Sequence, residues 1–189
     1  MTELVLSDGA KTVVRKLTEK GYKAYAVGGC VRDLLRGRTP DDYDIATSAF
    51  PENIAEVFSA YDVIPTGLKH GTVTVVIDKI PYEITTFRKD GNYPDGRRPE
   101  KVEFVDDLKE DLSRRDFTVN AMAYNDDEGL IDPFGGEQDL KNKILRCVGD
   151  PEKRFSEDAL RILRAARFCS TLSLTVEEET ARKAIKLAY

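Results

Sequence analysis

Apolar residues recur along this chain with two periods, and the order of the periods outlines a fold. Residues 8–21 put Val13, Val14 and Leu17 on one face of a helix that Gly21 ends. YKAYAVGG (22–29) is a short strand running into two glycines. CVRDLLRG (30–37) is a helix closed by Gly37. DYDIAT begins a second strand, and PENIAEVF is a helix with Pro51 in its first turn. YDVIP, TVTVVID and PYEITTF follow as strands, by alternation and β-branched content. KDGNYPDGRRPEK, rich in Gly, Pro and charge, is a mobile loop. The pattern then predicts a helix over 105–125, with Leu108, Leu112, Phe117 and Met122 as its apolar positions. IDPFGG is a turn and KILRCVG a short strand. Residues 156–172 form a strongly periodic helix with Ser156 as its N-cap, and 175–189 form another without a stop signal. Strands and helices come first and helices alone afterwards. The pattern therefore predicts an α+β domain over 1–148 and the start of a helical domain over 149–189.

Composition narrows the class. At 189 residues and 41% hydrophobic, the chain has enough apolar content for a core. Its net charge of −5 gives no global electrostatic footprint for DNA or RNA, so any basic surface must be local. The three cysteines, Cys30, Cys147 and Cys169, lack metal-ligand spacing, which suggests reduced thiols and a cytoplasmic setting. No apolar run is long enough to span a membrane, and none reads as a signal peptide.

The candidate chemistry begins at PDDYDIA. On a strand, positions i and i+2 share a face, so Asp42 and Asp44 project together while Asp41 lies in the turn. Two carboxylates on one face suit Mg²⁺, although an acidic surface turn has the same composition. Upstream, Gly28 and Gly29 bring bare amides to a helix start, and Arg32 lies one turn further on. Together these read as a triphosphate cradle; alone, they are a tight turn. Glu83, in the middle of PYEITTF, is either a third carboxylate or a solvent-facing charge. Arg115 and Asp116 are either a phosphate contact and a ribose contact, or an ion pair that docks a helix. Asp158 and Arg161, at i and i+3, meet as a surface ion pair or as a reader of base edges. Asp only accepts and Arg only donates, so such a pair fits the amino-plus-ring-nitrogen edge of C and A and rejects G and U. Arg164 and Arg167 continue along the same helix.

The segments GGCVRDLLRGRTPDDYDIAT, EITTFR, SRRDFTVNAMAY, DPFGGEQDL and SEDALRILRAARF, in this order and spacing, resemble the class II CCA-adding enzymes and bacterial poly(A) polymerases of the nucleotidyltransferase superfamily. The resemblance implies a polymerase-β-like head, with a mixed and mainly antiparallel sheet flanked by helices, followed by an all-α neck. It implies Mg²⁺ on Asp42 and Asp44, with Glu83 as the third acidic position. Gly29, Arg32 and Arg115 match triphosphate contacts, and Asp116 matches the group that senses the ribose 2′-hydroxyl. Asp158 and Arg161 match the amino-acid template for the incoming base, and Arg164 and Arg167 match further nucleotide contacts. The implied partners are the tRNA 3′ end, CTP and ATP, with neither DNA nor membrane. IPTGLKHGTVTV resembles the CCA-type head, and DGNYPDGRRPEKVEF resembles the flexible loop of enzymes that add the terminal A. A poly(A) polymerase, an A-adding enzyme and a non-catalytic nucleotide-binding module are the alternatives. His70 reads as a turn or core histidine. Family members are about twice this length, so the expectation is a chain that stops within the neck, with the tRNA-gripping body and tail beyond it.

Overall fold

A computed structural model describes residues 4–94, 96–97 and 99–187. Its framework is a seven-stranded sheet in the order β3-β4-β5-β2-β1-β8-β9. The strands are β1 (Ala24–Val27), β2 (Asp44–Thr47), β3 (Asp62–Gly67), β4 (Thr72–Ile77), β5 (Ile80–Thr86), β8 (Ala123–Asn125) and β9 (Gly129–Ile131). Only β2 and β5 run parallel; the other neighbours are antiparallel. This is the expected α+β class with a mainly antiparallel sheet.

Helices cover the sheet because their apolar stripes need a partner. α1 (Asp8–Glu19) is capped by Ser7, whose hydroxyl accepts from Ala10 N at 3.2 Å, and it buries Ala10, Val13, Val14 and Leu17. With α2 (Gly29–Leu35) and α3 (Pro51–Val57) it packs on one face, against Ala24, Ala26, Ile45, Val73, Val75 and Ile84. On the opposite face, α4 (Leu108–Ser113) brings Leu108 and Leu112 against Tyr25, Val27, Ala46 and Phe87. β1 is buried on both sides as a result, which explains why its sequence is an unbroken apolar run.

Residues 105–125 do not form the single helix that was expected. α4 ends at Ser113, a 3-10 turn spans Thr118–Asn120, and β8 follows. The backbone is diverted between them: Thr118 N donates to Arg146 O at 2.9 Å, and Val148 N donates to Asp116 O at 3.0 Å. Residues 116–123 are buried on every side, so no periodicity survives to distinguish helix from strand. The stretch expected to be only a loop, 89–101, is flanked by a hairpin of β6 (Arg88–Asp90) and β7 (Val102–Phe104). Gly91 N–Lys101 O and Glu100 N–Asn92 O bonds, both 2.9 Å, extend the pairing. Asp95 and Arg98 of that loop lie outside the described residues.

After β9, Asp132, in the IDPFGG turn, accepts from the amides of Gly136 and Glu137 and starts α5 (Gly136–Lys141) directly after it. The C-terminal part holds α6 (Pro151–Glu157), α7 (Leu160–Leu172) and α8 (Glu178–Leu187). Ser156 caps nothing: it lies inside α6, which Asp150 caps through Glu152 N at 2.9 Å. The expected all-α segment also contains one short strand. β11 (Thr175–Val176) pairs in parallel with β10 (Ile144–Leu145). A third core joins Phe117, Val119 and Leu145 to Phe155, Ala165, Phe168 and Leu172, so apolar packing is continuous across position 148.

α6 and α8 are joined at the surface by Glu152, which pairs with Lys183 and with Lys186, the latter at 2.9 Å. Hydrogen bonds from both lysines pull the Glu152 carboxyl down from its ordinary 4.5 to about 2. Its contribution to stability is therefore present above pH 4.5 and lost as the pH falls towards 2. An NMR titration should place the Glu152 midpoint near the lower value, and the Lys183→Met/Lys186→Met variant should return it to the ordinary range. A midpoint that ignores both lysines would remove this link between the helices.

Candidate active site

The site forms where β1 ends. Val27 stands opposite Asp44 in the β1–β2 pair, and Asp44 stands beside Glu83 in the β2–β5 pair. The sequence alternates outward Asp42 and Asp44 with inward Tyr43 and Ile45, both buried. Tyr43 is fixed by a hydrogen bond from Ser7 N to its hydroxyl at 3.2 Å. The two aspartates therefore share a face and line one cleft of about 490 Å³ with Gly28 and Gly29. Asp44 is open to that cleft yet closely surrounded by protein. Burial raises its carboxyl above the usual range, Arg115 opposes the rise, and the charges of Asp42 and Glu83 add to it.

The same cleft gathers Arg32, Arg115, Asp116, Asp158, Arg161, Arg164 and Arg167, and it also contains Arg114, Asn120 and Phe168. Glu83 does not line it; this carboxylate flanks Asp44 from the neighbouring strand and is exposed. Among the described residues, no three acidic, histidine or cysteine side chains converge as a metal-binding trio. His70 is exposed, at the end of a 3-10 turn, and lies in neither a core nor the cleft.

Several expected pairings are different in the structure. Gly28 N is not a free donor, because it is bonded to Met122 O at 3.2 Å; the amides left for an anion are those of the first turn of α2. Gly28 itself has φ +74°, and a Cβ there would sit 3.1 Å from Arg115 Nη1, so only glycine suits both the turn and the arginine. Arg115 and Asp116 are not a pair. Arg115 binds Asp111 at 3.1 Å, whereas Asp116 accepts from Phe117 N, from Asn120 Nδ2 and from Arg164 at 2.6 Å. Asp158 and Arg161 are not a pair either. The chain breaks between α6 and α7 at Asp158, whose carboxylate caps Leu160 N at 2.9 Å. Arg161 instead binds Glu157 at 2.8 Å and the carbonyls of Arg154 and Arg114 at 3.0 and 3.1 Å. Arg32 forks onto Asp33 and reaches Asn120 Oδ1 at 2.7 Å.

The residue the sequence reading missed most is Asp111. It is fully buried and accepts from Arg114, Arg115 and the Arg88 amide. Burial alone would push its carboxyl up, but the Arg115 and Arg114 guanidiniums outweigh that and hold it below the usual range. Its spacing from the two arginines, i+3 and i+4 across the C-terminal end of α4, was a legible signal. Asn120, which bridges Arg32 to Asp116, carried no such signal.

Residues 24–146 match the family model of the poly A polymerase head domain. The chain belongs to this family. A CCA-adding enzyme of Lactobacillus delbrueckii subsp. bulgaricus is 55% identical over 176 residues, covering 93% of this chain and 44% of that enzyme. One from Geobacillus thermodenitrificans is 51% identical over 173 residues, covering 92% and 42%. The crystal structure of the Bacillus stearothermophilus CCA-adding enzyme in complex with CTP superposes with a TM-score of 0.85 at 47% identity, over 94% of this chain and 42% of that one. The chain thus spans less than half the length of these relatives, and the matched residues include all seven strands of the sheet, whose β2 begins at Asp44.

Removing the buried anion should unlock the cation wall of the site. Asp111→Ala leaves Arg114 and Arg115 without their shared partner and should cost about 3–5 kcal/mol in chemical denaturation. Because the folded carboxyl titrates below its ordinary 3.8, this stabilisation is present above that pH and disappears as the pH falls through the lower folded value. A loss below about 1 kcal/mol would mean that the arginines do not depend on Asp111.

Proposed function

We propose that this chain is the catalytic part of a tRNA nucleotidyltransferase, which transfers CMP and AMP from CTP and ATP to the tRNA 3′ end and releases pyrophosphate. The observation that carries the reading is the single cleft that sets Asp42 and Asp44 against a wall of arginines beside the Gly28 turn. The relatives' printed names, CCA-adding enzyme, favour CCA addition over poly(A) synthesis. A cytoplasmic location and the use of RNA rather than DNA belong to the same proposal.

The donor set fits Mg²⁺. Two carboxylates on one face, each repelling the other, supply the hard oxygens that this ion takes, and burial, with the charges of Asp42 and Glu83 adding to it, makes Asp44 costly to ionise alone. Bound there, Mg²⁺ would lower the pKa of the attacking 3′-hydroxyl and offset charge on the pyrophosphate. Asp42 and Asp44 hold that position, with Glu83 adding negative charge from the adjacent strand. Arg32 and Arg115 face the triphosphate with guanidinium donors, and the first-turn amides of α2 add their own. Asp116 already accepts from Phe117 N, from Asn120 Nδ2 and from two N–H groups of Arg164, so a ribose hydroxyl would take the place of one Arg164 bond.

Base selection falls to Asp158 and Arg161 as separately anchored groups. Glu157 and two carbonyls fix Arg161, and the start of α7 fixes Asp158. One therefore presents an acceptor and the other a donor without neutralising each other, which suits the C and A edges and opposes G and U.

In the full-length protein, Asp44→Ala should lower CMP incorporation into a tRNA lacking its 3′ CCA by about a thousandfold or more. Near-normal incorporation would remove Asp44 from the reaction. Asp158→Ala should keep incorporation but admit UTP and GTP; retained selectivity would end the base-reading role. A long A-only product would identify a poly(A) polymerase instead, and no incorporation by the unaltered protein would leave a nucleotide-binding module.

A further inference from the structure

Three arginine side chains of the cleft crowd around one phenyl ring. The guanidinium carbons of Arg32, Arg164 and Arg167 lie 5.5, 5.3 and 5.0 Å from the centroid of Phe168, within the range of cation–π attraction. Phe168 lies on the wall of the cleft and is only 7% exposed. Its ring is held edge-on by Phe117, with centroids 5.9 Å apart and planes at 89°. Phe117 is fully buried, so the ring has a fixed support.

The three cations are held in different ways. Arg32 has Asp33 and Asn120, and Arg164 has Asp116. Arg167 has no carboxylate partner among the described residues, and its side chain is gathered in only by the ring. Like charges this close would spread apart without an anion between them. A carboxylate could restrain Arg167, but it would occupy the N–H groups that a phosphate needs. A phenyl face restrains a guanidinium through its plane and leaves the in-plane donors free.

The geometry points to Phe168 as a positioning residue: its π face preassembles Arg32, Arg164 and Arg167 to receive the polyphosphate of the incoming nucleotide, and it does so without competing for their hydrogen bonds. This rests on the nucleotidyltransferase reading of the cleft and extends it to a residue that touches no reacting atom. The ring contributes to nucleotide capture and not to the chemical step. It therefore affects KM for the nucleotide and not kcat.

The test replaces Phe168 in the full-length protein with 4-fluoro-, 3,5-difluoro- and 3,4,5-trifluorophenylalanine. Each fluorine drains the π face while adding little volume, so a packing role is nearly untouched. KM for CTP should climb stepwise, to about tenfold at three fluorines, with kcat and KM for the RNA steady. The inhibition constant of inorganic triphosphate should rise in parallel and that of CMP should not. Phe168→Leu should weaken CTP and triphosphate similarly, with Phe168→Trp restoring them. Should either of these variants fail to fold, the fluorinated series still decides. A flat KM across that series in an active enzyme overturns the role of Phe168 and leaves the function intact. An unaltered protein that adds no nucleotide overturns both.

Discussion

Opposed charges gathered in one cleft, with arginines tied to partners of their own, are the constraint on which this structure depends. Asp42 and Asp44 line the same cleft as six arginines. Left alone, the two sets would neutralise each other and close the site. Asp111 prevents this by engaging Arg114 and Arg115 from within the core, and Asp33 and Asn120 do the same for Arg32. Arg32, Arg114 and Arg115 are thereby anchored, and Arg167 is held by the Phe168 ring instead. A buried ion pair contributes little net stability, and its main effect here is to fix where the guanidiniums stand.

The sheet provides the other half of that constraint. β2 lies between an antiparallel β1 and a parallel β5, so Val27, Asp44 and Glu83 fall in one row across three strands. The row ends at the Gly28 turn, which brings the carboxylates, the start of α2 and the arginines within one cleft. α7 closes the far side, and the third hydrophobic core fixes α7 to the sheet domain through Phe117 and Phe168. Nucleotide-facing residues from distant parts of the chain are therefore carried on one packed unit, which is what preorganised electrostatics requires.

Much of this was legible in the sequence where local rules decide. The alternation of Asp42, Tyr43, Asp44 and Ile45 is a two-residue period, and it gave the correct face. Gly28 and the arginines of α7 were found in the cleft as their spacing implied. What was not legible depended on contacts distant in sequence. Residues 116–123 are buried all round and pair with 146–148, so their apolar pattern carried no period. The Asp158–Arg161 pair failed because the helix breaks at Asp158, and an i, i+3 rule holds only inside a continuous helix. Asp116 found Arg164, 48 residues away, in place of its neighbour. Phe168 shares the buried stripe of α7 with Ala165 and Leu172, and nothing in its spacing sets it apart from a core residue.

The proposed cation site at Asp42 and Asp44, in the cleft lined by arginines, is open to direct measurement. The most direct measurement is uptake of Mn²⁺, as a paramagnetic substitute for Mg²⁺, followed by electron paramagnetic resonance in the presence of CTP. It would compare the unaltered full-length protein with Asp42→Asn/Asp44→Asn, which keeps the shape of both side chains and removes their charge. The unaltered protein should take up the ion beyond what CTP itself binds, and the double variant should lose this extra uptake. Equal uptake by the two proteins would contradict the proposed site.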